Sequence, residues 1–209
     1  GYTGGALYYF EDTSAGMGYG EIESDPFIDP PNSQRSYSGY WSTNEILPNS
    51  ELRYNDTNIC WAVPDLDSTH WMKIDIGSTV KVVGTRTKGR HNNGQRVTKY
   101  TVEYSLDDIT YLQVDDGVDM SGNVDNNNFI VDAYFSTPVI ARYIKITPTE
   151  WSGWISMSAG LIIEPPSTYT VTVSGDPLVF YIDGSPNPQL TFTAGNSYIF
   201  DQSDSTNNK

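Results

Sequence analysis

The fold class is indicated by an alternation of apolar and polar residues, at a period of two, in the stretch Trp71-Met72-Lys73-Ile74-Asp75-Ile76-Gly77. Side chains of a strand point alternately to the two faces of a sheet, so this alternation predicts a strand with one buried face. The pattern returns at 80–87, 97–105, 129–135, 141–147 and 155–163. Gly, Asn, Asp and Pro clusters separate these segments, and no convincing helical period is present. The sequence therefore predicts an all-β protein, folded as a β-sandwich or jelly roll.

The two ends of the chain differ in composition from this β-rich middle. The first 34 residues contain six acidic side chains and no Lys or Arg, so we assign residues 1–15 to an acidic N-terminal lead. Residues 164–168 are rich in proline, which is typical of a linker. Four further strands are predicted at 169–173, 178–182, 189–193 and 197–201. Because four short strands amount to about half of a β-sandwich, residues 169–209 are interpreted as a partial β-sandwich module, truncated or paired with a neighbour.

Charge and composition exclude several classes of protein. A formal net charge of −14 opposes nucleic-acid binding, which needs a positive face. No stretch approaches 18 apolar residues, so no transmembrane segment is expected. The single cysteine, Cys60, excludes an intrachain disulfide. With two histidines, and neither a His-Glu-x-x-His nor a Gly-x-Ser-x-Gly motif, the sequence favours a protein that is not an enzyme.

Seven segments occur in an order that is typical of one known family. They are 16–22, Ser36-Tyr37 with Trp61, 71–77, 87–90, 97–105, 122–125 and 138–146. In this order, residues 16–163 resemble the discoidin family, which is also called the coagulation factor 5/8 C-terminal domain and is galactose-binding-like in fold. The resemblance implies a discoidin-like jelly-roll β-sandwich over 16–163, followed by a short C-terminal β extension. It also implies that ligands bind to loops at one end of the jelly roll.

The sequence departs from the family pattern at two places. Most members have a Cys near each end of the domain, whereas this chain has only Cys60, which we interpret as a small buried apolar group. Ser158 and Gly160 stand where relatives usually have Arg and Glu, and that Glu helps to bind a structural calcium ion in lectin-like relatives. This departure argues against calcium here, so we expect no cofactor and no metal site.

Three segments at the implied ligand end supply candidate binding residues. Five of the 12 Lys and Arg residues fall between positions 86 and 99, an excess that favours an anionic head group or a carboxylated sugar. Trp and Tyr rings offer flat faces to sugar C–H groups and also suit a membrane interface. The candidates are Tyr40, Trp41, Arg86, Lys88, Arg90, His91, Asn92, Arg96, Trp151 and Trp154. Two alternatives stay open: the basic segment is a solvated hairpin, or Trp41 plugs the end of the barrel as part of the core.

The sequence supports two hypotheses of function, both located outside the cell, on a cell surface or on a virion. The first is a non-catalytic adhesion or recognition module that binds glycans or an anionic surface through the loops. The second is a structural subunit of an extracellular filament or virion surface, in which the open strand edges of the tail contact neighbouring subunits. The tail resembles, over 181–184 and 195–204, β modules of large marine microbial and viral surface proteins. Asn55, in the triplet Asn55-Asp56-Thr57, is a candidate glycosylation site.

Overall fold

The computed structural model describes residues 27–41, 49–52, 60–90, 94–124, 129–165, 167–193, 196 and 198–208. In these residues the regular structure consists of thirteen strands and three short 3-10 turns, with no α-helix. The strands are β1 (Phe27–Ile28), β2 (Arg35–Tyr37), β3 (Trp61–Ala62), β4 (Met72–Lys88), β5 (Arg96–Ser105), β6 (Leu112–Gln113), β7 (Met120–Ser121), β8 (Val131–Ser152), β9 (Ser156–Ile163), β10 (Ser167–Ser174), β11 (Val179–Ile182), β12 (Ser185–Pro186) and β13 (Tyr198–Asp201). The 3-10 turns are Asn32–Gln34, Val114–Gly117 and Ser205–Asn208. The prediction of an all-β fold is confirmed.

Strands β1 to β9 belong to one hydrogen-bonded sheet that builds the jelly-roll β-sandwich. Its main path runs β1-β9-β4-β8-β5-β6, and β2, β3 and β7 pair with β4, β9 and β5 respectively. All of these pairs are antiparallel. Antiparallel strands tolerate one buried and one solvated face, which agrees with the alternation in the sequence.

Two long strands, β4 and β8, replace what the sequence predicts as four shorter ones. They pair along both halves, with a shift of register between Asp75 and Val80. Gly77 lies in this irregularity with a φ of 84°, a conformation that glycine adopts without a steric penalty. Because a bulge bends a strand without ending it, the break at 77–79 is a bend and not the turn that the sequence predicts.

The core is formed by the inward-pointing residues of these strands. Met72, Ile74, Ile144 and Ile146 are all 0% exposed. Lys73 and Lys145, which lie between them and face each other across β4 and β8, are half-buried and point to the outer face. Strand β9 differs from this pattern, because all eight of its residues are buried.

Strands β10 to β13 form a second, separate sheet in the order β12-β11-β10-β13. Strand β13 is parallel to β10, whereas β11 is antiparallel to both β10 and β12. The predicted strand at 189–193 is wrong, since these residues are irregular in the structure. Instead of pairing, this segment places Phe192 edge-on against Tyr198, with a centroid distance of 4.8 Å. Short strand β12 takes the edge position beside β11.

Candidate ligand-binding site

Two tryptophans from separate loops meet at one end of the jelly roll. The rings of Trp41 and Trp154 lie edge to face, with a centroid distance of 6.3 Å and an interplanar angle of 86°. The Trp41 backbone N–H donates to the Ala62 carbonyl at 2.7 Å, and Trp154 Nε1 donates to the Val63 carbonyl at 2.8 Å. Trp41 is 56% exposed, whereas Trp154 packs partly against the core. The pair therefore presents an exposed indole on a fixed support.

The support beneath this pair is Trp61, which is completely buried. Its Nε1 donates to the Gly39 carbonyl at 2.9 Å, and its ring stacks on Tyr37 at a centroid distance of 5.9 Å. The backbone just before Trp41 is thereby tied to the core. Tyr40, which follows Gly39, is 37% exposed and lies next to the exposed indole in the chain.

The loop that connects β4 to β5 (the β4–β5 loop) adds the hydrogen-bonding side chains of Arg90 and Gln95 to this end of the sandwich. The Arg90 backbone N–H donates to the Gln95 carbonyl, and the Arg90 guanidinium donates to Gln95 Oε1, both at 2.9 Å. Gly153 has a φ of 68°, and a Cβ at this position would lie 3.0 Å from the Gly94 carbonyl oxygen. This close approach needs a glycine, and it brings the β4–β5 loop against the segment that contains Trp154.

Two other basic candidates are bound to groups of the protein. Arg86 forms a bidentate ion pair with Asp132, with both N···O distances at 2.6 Å, and its guanidinium lies 4.8 Å from the centroid of the Phe27 ring. Lys88 is 5% exposed and its Nζ donates to the Leu52 carbonyl at 2.9 Å. Burial lowers the pKa of Lys88. Both side chains stabilise contacts between strands and neighbouring segments.

The remaining candidates lie beside the β4–β5 loop or outside the described residues. The Arg96 guanidinium donates to the Gly94 carbonyl at 3.1 Å. Trp151 lies opposite Val97 on the neighbouring strand and packs partly against the core. His91, Asn92 and the glycosylation candidate Asn55 lie outside the residues that the structure describes. Of the basic candidates described, Arg90 and Arg96 both hydrogen-bond within the β4–β5 loop, whose Gly94 approaches Gly153 next to Trp154.

Sequence reasoning missed a polar layer beneath the β4–β5 loop, made by Gln95, Ser156 and Cys60. Gln95 Oε1 lies 3.4 Å from Ser156 Oγ, and Ser156 also hydrogen-bonds with the Cys60 thiol. Burial raises the pKa of Cys60 to about 11, so the sulfur is a neutral thiol at neutral pH. The sequence holds little signal for this layer, because a glutamine in a polar loop does not differ from its neighbours in pattern.

Neither a metal-binding cluster nor a membrane-spanning helix is found in the described part of the chain. These residues contain no group of three or more His, Cys, Asp or Glu side chains arranged to hold a metal ion. They also contain no helix that is long and apolar enough to cross a membrane.

Comparison with known proteins identifies the family. Residues 32–161 match the F5/8 type C domain. The chain belongs to the F5/8 type C domain family. Discoidin-2 of Dictyostelium discoideum is 30% identical over 115 residues, and lactadherin of Bos taurus is 31% identical over 145 residues. These alignments cover 55% and 63% of this chain but 44% and 34% of the two relatives, so the chain spans less than half of their length.

A solved structure supports the same assignment for this F5/8 type C domain. The structure of wild-type discoidin II from Dictyostelium discoideum superposes with a TM-score of 0.54 at 27% identity, covering 67% of this chain and 59% of that chain. The resemblance to the discoidin family and the predicted jelly-roll β-sandwich are therefore confirmed. The family is known for non-catalytic binding of glycans or membranes. The family match ends at residue 161, before the C-terminal sheet begins at Ser167.

Proposed function

We propose that this F5/8 type C domain is a recognition module that binds glycans at the end of the jelly roll marked by Tyr40, Trp41, Arg90, Gln95 and Trp154. The observation that carries the proposal is the Trp41–Trp154 pair, because it holds an indole that is 56% exposed on a fixed support. A pyranose ring packs its C–H face on such an aromatic surface. The site is partly formed before the ligand arrives, so little side-chain entropy is lost on binding.

Polar groups of the β4–β5 loop provide the hydrogen bonds that a sugar needs. The Arg90 guanidinium has five N–H donors and the Gln95 amide has both a donor and an acceptor. Their mutual hydrogen bond of 2.9 Å orients both groups. A guanidinium also pairs with carboxylate in a bidentate geometry, so acidic sugars fit the site as well as neutral ones.

Net charge favours a glycan over an anionic lipid surface. The chain has a formal net charge of −14, and an anionic leaflet repels such a protein except where a basic segment faces it. Two of the basic side chains at this end are engaged, Arg86 with Asp132 and Lys88 with the Leu52 carbonyl. We therefore propose a glycan ligand outside the cell, bound by a domain at 16–163. The C-terminal module that follows begins with β10 at Ser167, inside the predicted linker at 164–168.

A glycan array and a liposome co-sedimentation assay on the full chain test this proposal together. Trp41→Ala and Arg90→Ala should each reduce glycan binding by about tenfold or more, since each removes one stacking face or one charged donor. Val118→Ala is the matched control, because Val118 is an exposed apolar residue (61%) in the turn at 114–118. Wild-type binding to phosphatidylserine vesicles without binding to any glycan would favour the anionic surface instead. Glycan binding that both variants retain in full would contradict the proposed site.

A second candidate function is self-assembly through the C-terminal sheet. Leu178, Phe180, Phe192 and Phe200 are between 39% and 62% exposed. Val173, Leu178 and Phe180 line a cavity of about 420 Å³ together with Gln202, Thr206 and Asn207. The four exposed side chains leave about 400 Å² of apolar surface uncovered, taking about 200 Å² for each full side chain. A standard interface buries about 800 Å² on each partner, and a little over half of that area is apolar, so this face has about the apolar area that one side needs. We propose that a second copy of the chain covers it.

Sedimentation equilibrium over a range of protein concentrations tests the second candidate. Phe180→Ser should weaken a dimer of the wild-type chain. Ile199→Ser is the matched control, since Ile199 is 42% exposed but lies one residue out of phase with Phe200 on β13 and so faces the other side. A wild-type chain that stays monomeric at the highest concentration would rule this candidate out.

A further inference from the structure

A polar groove with aromatic walls lies on the outer face of the main sheet. It has a volume of about 250 Å³ and is lined by Trp71, Lys73, Asp108, Tyr111 and Lys145. Lys73 and Lys145 are register partners on β4 and β8, and their sequence neighbours point into the core. The two ammonium groups therefore rise from the outer face, away from the core.

Asp108 is held over Lys73 by a turn. The Asp108 carboxylate forms none of the hydrogen bonds that stabilise this turn. Ser105 Oγ accepts the backbone N–H groups of Asp107 and Asp108, at 3.2 and 3.0 Å. Asp107 Oδ1 accepts the backbone N–H groups of Ile109 and Thr110, at 2.9 and 2.8 Å. These hydrogen bonds to the backbone position the Asp108 carboxylate in the groove. They do not involve that carboxylate, so they remain when Asp108 is substituted.

The charged groups of the groove are oriented by contacts within the protein before a ligand binds. Lys73 Nζ donates to both carboxylate oxygens of Asp108 at 2.7 Å, and the Tyr111 hydroxyl donates to the same carboxylate. Lys145 Nζ lies 2.6 Å from a carboxylate oxygen of Glu103 and 4.5 Å from the centroid of the Tyr111 ring. The side chains of the two ion pairs are between 21% and 36% exposed, so they are held in place yet reachable from water.

The charge balance of the groove indicates the class of ligand. Two ammonium groups face two carboxylates, so the groove attracts neither an anion nor a cation by net charge. Lys73 uses two of its three N–H donors on Asp108, which leaves one for a ligand. A sugar hydroxyl is both a donor and an acceptor, so it fits a site that offers a carboxylate and an ammonium side by side. The indole of Trp71 and the phenol ring of Tyr111 provide apolar walls for the C–H groups of such a ligand.

We propose that this groove binds one neutral pyranose unit of a saccharide. Its volume corresponds to about eight water molecules at about 30 Å³ each, which suits a single sugar ring. The groove uses none of the residues assigned to the end of the jelly roll, so the inference goes beyond the proposed function and does not depend on it. A chain with both sites contacts a branched or repeating glycan at two places, which raises its avidity without a new contact.

Saturation-transfer NMR and calorimetry on the full chain test the groove, with the methyl glycosides of glucose, galactose and mannose as probes. We expect at least one probe to bind, and Asp108→Asn and Lys73→Met each to weaken its binding by about tenfold, because each removes a charged hydrogen-bonding partner. Asp116→Asn is the matched control, since Asp108 and Asp116 both have positive φ, at 63° and 57°, and Asp116 is exposed. Asn tolerates that conformation, so the substitutions preserve the turns.

Variants of the two sites distinguish binding in this groove from binding at the end of the jelly roll. Trp41→Ala should leave binding of the probe to the groove unchanged, whatever it does to glycan-array binding. Three outcomes would overturn the inference: none of the three probes binds, binding persists in both Asp108→Asn and Lys73→Met, or Trp41→Ala alone abolishes it.

Discussion

Arg35 and Asp29 form an ion pair of 2.6 Å inside the protein, with side-chain exposures of 0% and 7%. The Arg35 guanidinium also donates to the carbonyls of Pro30 and Ala159, at 2.8 and 2.6 Å. It thereby joins the segment before β2 to β9, which lies at the other end of the domain in sequence. An arginine in β2 is thus a structural cation, and its satisfied hydrogen bonds offset the cost of burying its charge.

Removing this cation should destabilise the domain strongly. Arg35→Met keeps most of the aliphatic stem but removes the cation that neutralises the buried Asp29 carboxylate, so we expect a loss of about 3–5 kcal/mol in the free energy of unfolding. Urea unfolding, followed by tryptophan fluorescence, measures this loss in the free energy of unfolding. Lys99→Met is the control, because the Lys99–Glu150 pair is 46% and 56% exposed and should contribute little to stability. Similar losses for the two variants would contradict the structural role of Arg35.

The buried hydroxyl pair of Thr85 and Tyr100 should behave as a coupled unit. Thr85 Oγ1 and the Tyr100 hydroxyl are 2.7 Å apart, and both residues are 0% exposed. Tyr100→Phe and Thr85→Val should each cost about 1–3 kcal/mol, because each removes the 2.7 Å hydrogen bond between two buried hydroxyls. The double variant should cost less than the sum of the two, as measured by urea unfolding. Strictly additive losses would show that the two hydroxyls are not coupled.

The Cys60 thiol should react slowly in the folded protein. Burial raises its pKa to about 11, so at about pH 8 roughly one thiol in a thousand is ionised. Labelling with Ellman's reagent should accelerate about tenfold per pH unit between about pH 8 and 10, since the thiolate is the nucleophile. Labelling in denaturant, where the pKa returns to about 8.5, is the control. A folded protein that labels as fast as the unfolded one would show that the thiol is not protected.

The Asp75–Arg142 pair should make a small contribution that acid removes. The Arg142 guanidinium donates to both Asp75 carboxylate oxygens, at 3.0 and 3.1 Å, and these hydrogen bonds hold the pKa of Asp75 below its usual value. A lowered carboxyl pKa stabilises the folded state above the unfolded pKa of about 3.9, and this gain is lost as the pH falls through the folded pKa. Asp75→Asn should therefore cost a little stability at neutral pH and less at about pH 2, as urea unfolding at the two pH values measures. An equal cost at both would contradict the ionic origin of the effect.

The two tryptophans of the candidate site should differ in their effect on stability. Trp41 is 56% exposed, so Trp41→Ala should change the free energy of unfolding by less than about 0.5 kcal/mol. Trp154 packs against the core and donates to the Val63 carbonyl, so Trp154→Ala should cost about 2–3 kcal/mol. Thermal unfolding followed by circular dichroism measures both changes. A large loss for Trp41→Ala would identify its indole as part of the core, the alternative interpretation of this residue.

The local sequence pattern predicted the positions of most strands well, but it predicted poorly how neighbouring strand segments are connected. The alternation at 71–77 and 80–87 marks residues that point inwards, because side chains of a strand alternate in any sheet. It does not show that a bulge at Gly77 joins the two segments into β4, since glycine serves turns and bulges alike. At 189–193 the pattern failed because the aromatic contact of Phe192 with Tyr198 replaced strand pairing.

For the candidate site, too, the sequence predicted some features and missed others. Its aromatic and basic residues were visible in the sequence, and the order of the family segments placed them at one end. The burial of Lys88, the ion pair of Arg86 with Asp132 and the hydrogen bond between Arg90 and Gln95 were not visible. Each depends on a partner that another segment supplies, and charge alone does not distinguish a bound cation from a free one.

Alternation, turn residues and the order of segments are properties of the chain, so the all-β class, the discoidin family and the set of aromatic and basic residues available for binding can be read from the sequence alone. Which of those residues meet depends on the tertiary structure. The Trp41–Trp154 contact and the groove lined by Lys73, Asp108 and Tyr111 join residues from separate segments of the chain, and the buried Arg35–Asp29 pair holds the start of β2 against β9. Strand register places Lys73 and Lys145 side by side on the outer face, and a shift of one residue would turn both side chains toward the core.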